Sequence, residues 1–143
     1  MSRGRVTWSE LAATLDLSAP ATADRVRRLE ERGAVRGYAA LVDPEAVGCG
    51  LTAFIAVTLE RPEHRDPFLQ RVLELSEIQE CHHIAGDDDY LLKVRCHSTR
   101  DLEQIISERI KSLQGLVRTR TTIVLSTTKE TPALPLLDQT RLA

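Results

Sequence analysis

Alternating apolar residues in the second half of the chain limit its fold more than any other feature. Every second residue is apolar from Leu51 to Leu59 and again from Tyr90 to Cys96, which is the pattern of strands that bury one face. Helical apolar spacing and further strand-like runs lie around these two stretches. The predicted elements are, in order, strand 51–59, helix 66–73, strands 78–85 and 90–96, helix 98–110 and strand 116–127.

This order, β-α-β-β-α-β, is the ferredoxin-like split arrangement, and it predicts an α+β domain. Two helices are enough to cover one face of a four-stranded sheet, so the second face needs a partner. We therefore expect the chain to associate with itself, at least as a homodimer.

The first part of the chain has the signals of two short helices joined by a tight turn. Thr7-Trp8-Ser9-Glu10 has the form of a capping box, and Ser18 is suited to cap a second helix that Gly33 ends. Residues 34–42 are predicted to form a small two-stranded wing. The predicted organisation is a winged helix-turn-helix domain at 1–43, a linker at 44–50, the βαββαβ domain at 51–130 and a C-terminal tail at 131–143.

Charge is distributed unevenly over these two parts. The whole chain carries a net charge of −2, but residues 1–42 contain seven arginines against five acidic residues. Such an asymmetry suggests two units with different partners. No apolar run approaches the length of a membrane span, the N-terminus does not resemble a signal peptide, and three irregularly spaced cysteines indicate reduced thiols. We expect a cytoplasmic protein without a membrane partner.

A helix-turn-helix places its second helix in the major groove of DNA. Arg25 and Arg28 lie at outward positions of that helix, where they can reach phosphates or guanine edges. The alternative is a solvated face of ion pairs, for which Arg27 with Glu30 or Glu31 has suitable spacing. The residues predicted to contact double-stranded DNA are Ser18, Thr22, Arg25 and Arg28, of which Thr22 is also a candidate for the core.

The sequence AGDDDYLLKV, residues 85–94, places three carboxylates in the predicted hairpin between two strands. A metal site, a solvated turn and a pocket for an amine-bearing ligand are all compatible with it. The three aspartates lack the glycine and glutamate spacing of a calcium loop. Glycine and aspartate are also common in ordinary turns, so the residues alone leave the solvated turn open.

Two motifs in this order resemble the Lrp/AsnC family of feast/famine transcriptional regulators. The resemblance covers roughly residues 4–130. The segment LSAPATADRVRRLEERGAVRGYAALVDPEAVG is similar to the DNA-reading half of that family, IAGDDDYLLKV to its Gly-Asp-x-Asp-Tyr hairpin, and VRTRTTIVLSTTKE to its last strand.

The resemblance implies a sequence-specific DNA-binding regulator whose oligomer or DNA affinity responds to a small effector, usually an amino acid. Family members dimerise through the sheet and often assemble four dimers into an octameric ring, with the effector held between neighbouring subunits. Asp88 takes the variable place of the hairpin motif, where a solvated side chain is expected. The effector-binding residues implied by the motifs are Gly86, Asp87, Asp89, Thr119 and Thr121.

The chain departs from the family pattern at its start, where the family's first helix is expected to be missing. Without that helix a stand-alone sensor or partner module, which no longer binds DNA, is an alternative. A second alternative is an enzyme, because siroheme decarboxylases also join a helix-turn-helix to this sheet domain. Its candidate histidines form no recognisable motif; they are His64, His82, His83 and His97.

Other chemistry has little support in the sequence. Cys81 and His83 share a strand face, and Cys96 lies on the next strand, but a zinc site needs four ligands, or three with water. No Cys-x-x-Cys, phosphate-binding glycine loop or nucleophile elbow is present. We predict no metal site, no cofactor, no catalytic residues and no enzymatic activity.

Overall fold

The computed structural model describes residues 6–135 of the 143-residue chain. Contacts between residues divide the chain into two compact units, Met1–Val42 and Asp43–Ala143. No helix in the described range is long and apolar enough to cross a membrane.

The first unit contains two helices, α1 (Trp8–Leu15) and α2 (Ala19–Glu31). The predicted capping box is present, because the Glu10 amide donates to Thr7 Oγ1 (3.2 Å) and the Thr7 amide donates to Glu10 Oε2 (2.9 Å). Asp16 ends α1 in the left-handed conformation, with φ at 53°. The tight turn between the helices is therefore only three residues long.

Ser18 caps α2 as predicted, since its side-chain oxygen accepts a hydrogen bond from the Ala21 amide (3.3 Å). Pro20 lies in the first turn, where its missing N–H leaves no hydrogen bond unmade. Arg32 and then Gly33, whose φ is 69°, follow the last helical residue. Local signals in the sequence were thus sufficient to locate both helices.

The predicted two-stranded wing is wrong as a sheet. Residues 34–42 contain no strand, and all of them except Val35 are exposed. The segment is attached to α2 through two contacts, from the Val35 amide to the Leu29 carbonyl (3.1 Å) and from the Tyr38 hydroxyl to Glu30 (2.6 Å). A two-stranded ribbon without a third strand or an apolar cover is marginal in water, which explains its absence.

The second unit confirms the βαββαβ order. A short 3₁₀ turn (Pro62–His64) precedes the first helix of this unit, and a π-helical turn (Ile105–Ile110) continues the second. The elements are β1 (Leu51–Leu59), α3 (Arg65–Glu74), β2 (Ile78–His83), β3 (Tyr90–Cys96), α4 (Thr99–Gln104) and β4 (Leu116–Ile123).

The sheet has the strand order β2-β3-β1-β4, and every neighbouring pair is antiparallel. Ile55 pairs with Leu92 of β3 on one side and Thr121 of β4 on the other, so these three residues share a face. That face is covered by the helices. The core comprises Ala53, Ile55, Val57, Tyr90, Leu92, Val94 and Cys96 of the sheet with Phe68, Val72, Leu75, Leu102, Ile105 and Ile110 of the helical segments.

No described helix covers the opposite face, which we call the open face. It carries the side chains that alternate with the core residues of the central strands. Glu130, in the segment after β4, forms ion pairs with Lys93 and Arg95 of β3. Part of that C-terminal segment therefore lies over the open face.

Segment ends differ from those predicted. Residues 44–50, expected to be a linker, form a turn in the second unit, where His97 Nδ1 lies 2.8 Å from the Gly48 carbonyl oxygen. β2 stops at His83 because the Ile84 amide already donates to the Asp89 carbonyl (2.9 Å) and closes the hairpin. Of the predicted tail, residues 131–135 have no regular secondary structure, and residues 136–143 lie outside the described range.

Candidate functional site

The outward surface of α2 carries three arginines with different surroundings. Arg25 is exposed and pairs with no acidic group within the described residues. Asp24 holds the other two, at 2.7 Å from Arg28 and 2.5 Å from Arg27. The two arginines lower the pKa of Asp24, and the largest cause is the hydrogen bond from Arg27, followed by the charge of Arg28. Arg27 also lies 3.8 Å from Glu31, so the solvated ion pair considered from the sequence exists beside a free arginine.

The other two residues predicted to contact DNA have structural tasks. Ser18 is exposed and uses its oxygen as the cap of α2. Thr22 is fully buried, and its hydroxyl donates to the Ser18 carbonyl (3.0 Å). The prediction of Thr22 as a DNA contact is therefore corrected, because a buried side chain with a satisfied hydroxyl has no access to a partner.

The hairpin between β2 and β3, residues 84–89, is fixed to the end of β1. The Asp89 amide donates to the Val57 carbonyl (2.9 Å), and one Asp89 carboxylate oxygen accepts from the Leu59 amide (2.7 Å). Gly86 has a φ of 155°, which side chains rarely allow, and a Cβ there would meet no atom within 4 Å. Gly86 is thus required by backbone conformation rather than by close packing.

Asp88, expected to be solvated, is instead the most buried residue of the hairpin, with 5% of its surface exposed. Its carboxylate accepts from the Thr58 hydroxyl (2.9 Å) and from the guanidinium groups of Arg118 (3.1 Å) and Arg120 (2.6 Å). The Thr58 hydrogen bond, followed by the arginines, lowers the pKa of Asp88 against the opposing effect of burial. The sequence-based expectation for Asp88 is therefore wrong.

The remaining candidates near the hairpin are not hydrogen-bonded to one another in the part of the chain that the structure describes. Asp87 is exposed, and its carbonyl oxygen accepts from Arg118 (3.3 Å). Thr119 and Thr121 share one face of β4, as predicted, opposite Val57 and Ile55. No hydrogen bond joins either hydroxyl to an aspartate within residues 6–135. The two threonines are on the helix-covered side, whereas Asp88 and its arginines meet on the open face.

The residues considered for a metal site are separated. Cys81 lies opposite Leu92 in the sheet, whereas Cys96 lies opposite Leu51, four residues farther along β3. Among the residues that the structure describes, no group of three or more histidine, cysteine or acidic side chains is placed to hold a metal ion. Burial raises the pKa of the Cys81 thiol, which keeps it protonated.

The four histidines considered for an enzyme also lie apart. His82 pairs with Glu80 on the open face (3.1 Å), and His83 stacks on Tyr90 with ring centroids 5.1 Å apart. His97 contacts the Gly48 carbonyl, and His64 packs against Gly115. The described side chains therefore form no convergent histidine cluster.

Two family profiles match the chain in the order that the fold shows. A winged helix-turn-helix DNA-binding domain matches residues 1–36, and the Lrp/AsnC ligand binding domain matches residues 52–134. The chain belongs to the Lrp/AsnC family. The resemblance drawn from the sequence motifs is confirmed, and the protein is a ligand-responsive transcription regulator with a helix-turn-helix and a ligand-binding domain.

Similar proteins within the Lrp/AsnC family include regulators from several bacteria. HTH-type transcriptional regulator LrpA of Mycobacterium tuberculosis is 46% identical over 124 residues, which are 87% of this chain and 81% of the relative. A Neisseria meningitidis transcriptional regulator, solved as a complex with L-methionine, has a TM-score of 0.88 at 33% identity and covers 92% of this chain and 86% of its own. The feast or famine regulatory protein of M. tuberculosis complexed with L-methionine has a TM-score of 0.83 at 43% identity, covering 92% and 88%.

The cluster of Asp88, Thr58, Arg118 and Arg120 was not found from the sequence. Arg118 and Arg120 alternate with the threonines of β4, which was a usable signal that two cations share one strand face. Their pairing with Asp88 depends on the register between β1 and β4, and that register includes a bulge at Thr58/Leu59. Sequence periodicity in this Lrp/AsnC chain does not determine such a register.

Proposed function

We propose that the chain binds specific double-stranded DNA through α2 and that its DNA affinity or assembly responds to a small amino-acid-like effector at the 84–89 hairpin. The proposal places it in the cytoplasm, where its three cysteines, free in the structure, remain reduced. The observation that carries it is the occurrence of both family domains on one chain, with similarity to two regulators solved with L-methionine.

The DNA-binding role of α2 is supported by the state of its arginines. Arg25 has no ion pair to break in the described structure, so it is ready to contact a phosphate or a base edge. Arg28 would have to leave or share Asp24. We therefore infer that Arg25 contributes more to DNA affinity than Arg28, and that Ser18 contributes through its exposed position at the start of the helix.

The effector role of the hairpin is supported by its unused polar groups. The Gly86 amide donates to no group in the described chain and is suited to a carboxylate, while the Asp87 carboxylate is exposed and suited to an ammonium group. Asp89 has committed one oxygen to the Leu59 amide and retains the other. Thr119 and Thr121 supply hydroxyls along the neighbouring β4 edge. A complete pocket would then need groups from a second copy of the chain.

Self-association through the open face belongs to the same proposal. No described helix covers that face, and a second copy would bury it. A homodimer is the expected minimum, and an octamer of four dimers is the larger assembly to test by light scattering at micromolar concentration. A monomer mass under those conditions would contradict both the interface and an effector site shared between copies.

The proposed DNA binding is tested with the sequences that the full chain selects from a pool of random DNA duplexes. Arg25→Ala should weaken binding and lower the salt slope by about one unit, as expected for one lost phosphate contact. Arg28→Ala should have a smaller effect because Asp24 already occupies it. Arg71→Ala, which removes an arginine of α3 paired with Glu74, is the matched control. Equal binding by the parent and Arg25→Ala would contradict the assignment of α2.

The proposed effector binding is tested by calorimetry, with L-methionine first and the other common amino acids next. Asp89→Ala and Thr121→Val should each lose affinity for a ligand that the parent binds. Thr122→Val is the matched control for the second variant, because Thr122 is the next residue of β4 and faces the opposite side. If both variants bind as the parent does, the site lies elsewhere.

A sensor module without DNA binding remains the second candidate, and one observation favours it. Trp8, Leu15 and Leu29 are 51%, 45% and 44% exposed, so the pair of helices leaves apolar surface without cover in the described structure. If the chain selects no DNA sequence but binds an amino acid and changes the assembly of a longer relative, this second function replaces the first.

A further inference from the structure

Asp88 is the one carboxylate of the hairpin that the proposed effector site does not use, yet it is the one most firmly held. We propose that Asp88 is a positioning residue that clamps the effector hairpin to β1 and β4 and so fixes the groups that bind the effector. The inference rests on the proposed function, because the groups it positions are those of the proposed effector site.

The clamp joins three elements through one side chain. Asp88 Oδ1 accepts from Thr58 of β1 (2.9 Å) and from Arg118 of β4 (3.1 Å), and Oδ2 accepts from Arg120 of β4 (2.6 Å). β4 is an edge strand that pairs only with β1, and the described backbone-to-backbone bond from the hairpin to β1 is the one from the Asp89 amide to the Val57 carbonyl. The described bonds between the hairpin and β4 all run through arginine side chains, one of them from Arg118 to the Asp87 carbonyl. Asp88 therefore supplies the described side-chain link from the hairpin carboxylates to β4.

Burial shows that Asp88 faces these partners rather than a ligand. Its side chain is 3% exposed, whereas those of Arg118 and Arg120 are 53% and 63% exposed. A buried carboxylate is tolerated only where donors satisfy it, and three donors occupy most of its roughly four acceptor sites. Little capacity remains for an effector, so Asp88 acts through the residues beside it.

Those neighbours are the proposed binding groups. Asp89 follows directly in the chain and is bonded to the Leu59 amide, so two adjacent carboxylates attach the hairpin to the last residues of β1. Arg118 also donates to the Asp87 carbonyl (3.3 Å) and precedes Thr119 in β4. Arg118 thus bonds the hairpin to the strand that carries the threonine hydroxyls. Loosening the clamp would let their separation vary, which costs affinity because a preorganised site loses less entropy on binding.

Hydrogen exchange of individual amides in the full chain tests the clamp without an effector. The reporters are the amides of Asp89 and Leu59, which close the hairpin onto β1, and the reference is the amide of Leu92 in the central strand β3. Asp88→Asn should raise exchange at the two reporters by about tenfold or more, as expected when a charge-assisted hydrogen bond is lost, and leave the reference unchanged.

A second variant keeps the test decisive if Asp88→Asn does not fold. Thr58→Val keeps the β-branched shape and removes one donor to Asp88, so it should raise exchange at the same reporters. Thr122→Val is its matched control, because Thr122 is on the same face of the sheet and makes no side-chain hydrogen bond in the described residues. In the parent, 1 M salt should also raise reporter exchange, since the arginine ends are exposed to screening.

The outcomes separate this inference from the proposed function. Unchanged exchange at Asp89 and Leu59 in both variants, or an equal rise at Leu92, would overturn the clamp. If the parent binds L-methionine, Asp88→Asn should bind it about tenfold more weakly while Thr122→Val matches the parent, and equal affinity would overturn the positioning role. If the parent binds no amino acid, the effector proposal fails while the exchange results still decide whether the clamp exists.

Discussion

The two units of this protein are stabilised in different ways. In the first unit, the described residues that are buried are Ala12 and Thr22, and the helices rely on caps at Thr7 and Ser18. In the second unit, a cluster of thirteen buried apolar residues joins the sheet to its helices. The first unit is therefore held mainly by local contacts, and the second by contacts between distant parts of the chain.

This difference follows from the length of the elements and what they can bury. α1 and α2 have 8 and 13 residues, lengths at which an isolated helix is marginal in water. Their apolar side chains find few neighbours within the unit, and Trp8 and Leu29 remain about half exposed. β1 and β3 have 9 and 7 residues and lie at the centre of the sheet, so their inward side chains are buried, except Leu51 and Leu59 at the ends of β1, which are partly buried. Under the proposed function, the first unit, with its few buried contacts, would adapt to DNA while the second would hold the proposed effector hairpin in place.

The largest expected loss of stability comes from a substitution in the core of the second unit. Leu92→Ala removes a fully buried side chain from the central strand β3 and should lower the free energy of unfolding of that unit by about 3 kcal/mol. Leu29→Ala in α2 makes the same change at a side chain that is 44% exposed, and it should cost about 1 kcal/mol or less. Urea unfolding followed by amide exchange in each unit measures both, and comparable losses would contradict the contrast.

The next effect compares two helix caps with the same chemistry. Ser18 accepts from the Ala21 amide (3.3 Å) in the first unit, and Ser98 accepts from the Asp101 amide (3.1 Å) in the second. Replacing either serine with alanine should cost about 1 kcal/mol. For Ser18→Ala the loss should appear as frayed α2, seen in the fluorescence of Trp8, the chain's single tryptophan. For Ser98→Ala it should appear as a lower unfolding midpoint of the second unit, with Trp8 unaffected.

Sequence patterns predicted the local features well and the long-range pairings poorly. The caps at Thr7 and Ser18 and the alternation of Tyr90 to Cys96 were read correctly, because each depends on residues a few positions apart. The absent wing strands and the buried Asp88 were not, since both depend on which segments meet in the folded chain. The positions of the predicted effector residues Asp89 and Thr121 are now known, while their contact with an effector remains a prediction.

The smallest effect compares carboxylates that pair with arginine or lysine in the two units. Glu130 accepts hydrogen bonds from Lys93 and Arg95. These bonds, of which the one from Lys93 has the larger effect, lower the pKa of Glu130 below 4.5. Its folded state then binds fewer protons than the unfolded state, so its contribution is present above about pH 4.5 and is lost as pH falls through the folded pKa. Glu130→Gln should make the acid loss of stability of the second unit shallower.

Asp24 in α2 provides the counterpart, because Arg27 and then Arg28 lower its pKa below 3.8. Its stabilising effect is likewise lost on acidification, but all three residues lie in one helix and the arginines are 66% and 65% exposed. Solvent and salt screen such pairs, whereas Lys93 and Arg95 are only 16% and 18% exposed. Asp24→Asn should therefore change the acid unfolding of its unit less than Glu130→Gln changes the other, and raised salt should remove the Asp24 effect first. Both effects are measured as urea unfolding midpoints from pH 7 down to pH 3, with Trp8 fluorescence reporting on the first unit and amide exchange on the second. A larger effect of Asp24→Asn than of Glu130→Gln would mean that the C-terminal segment does not bind the open face in solution.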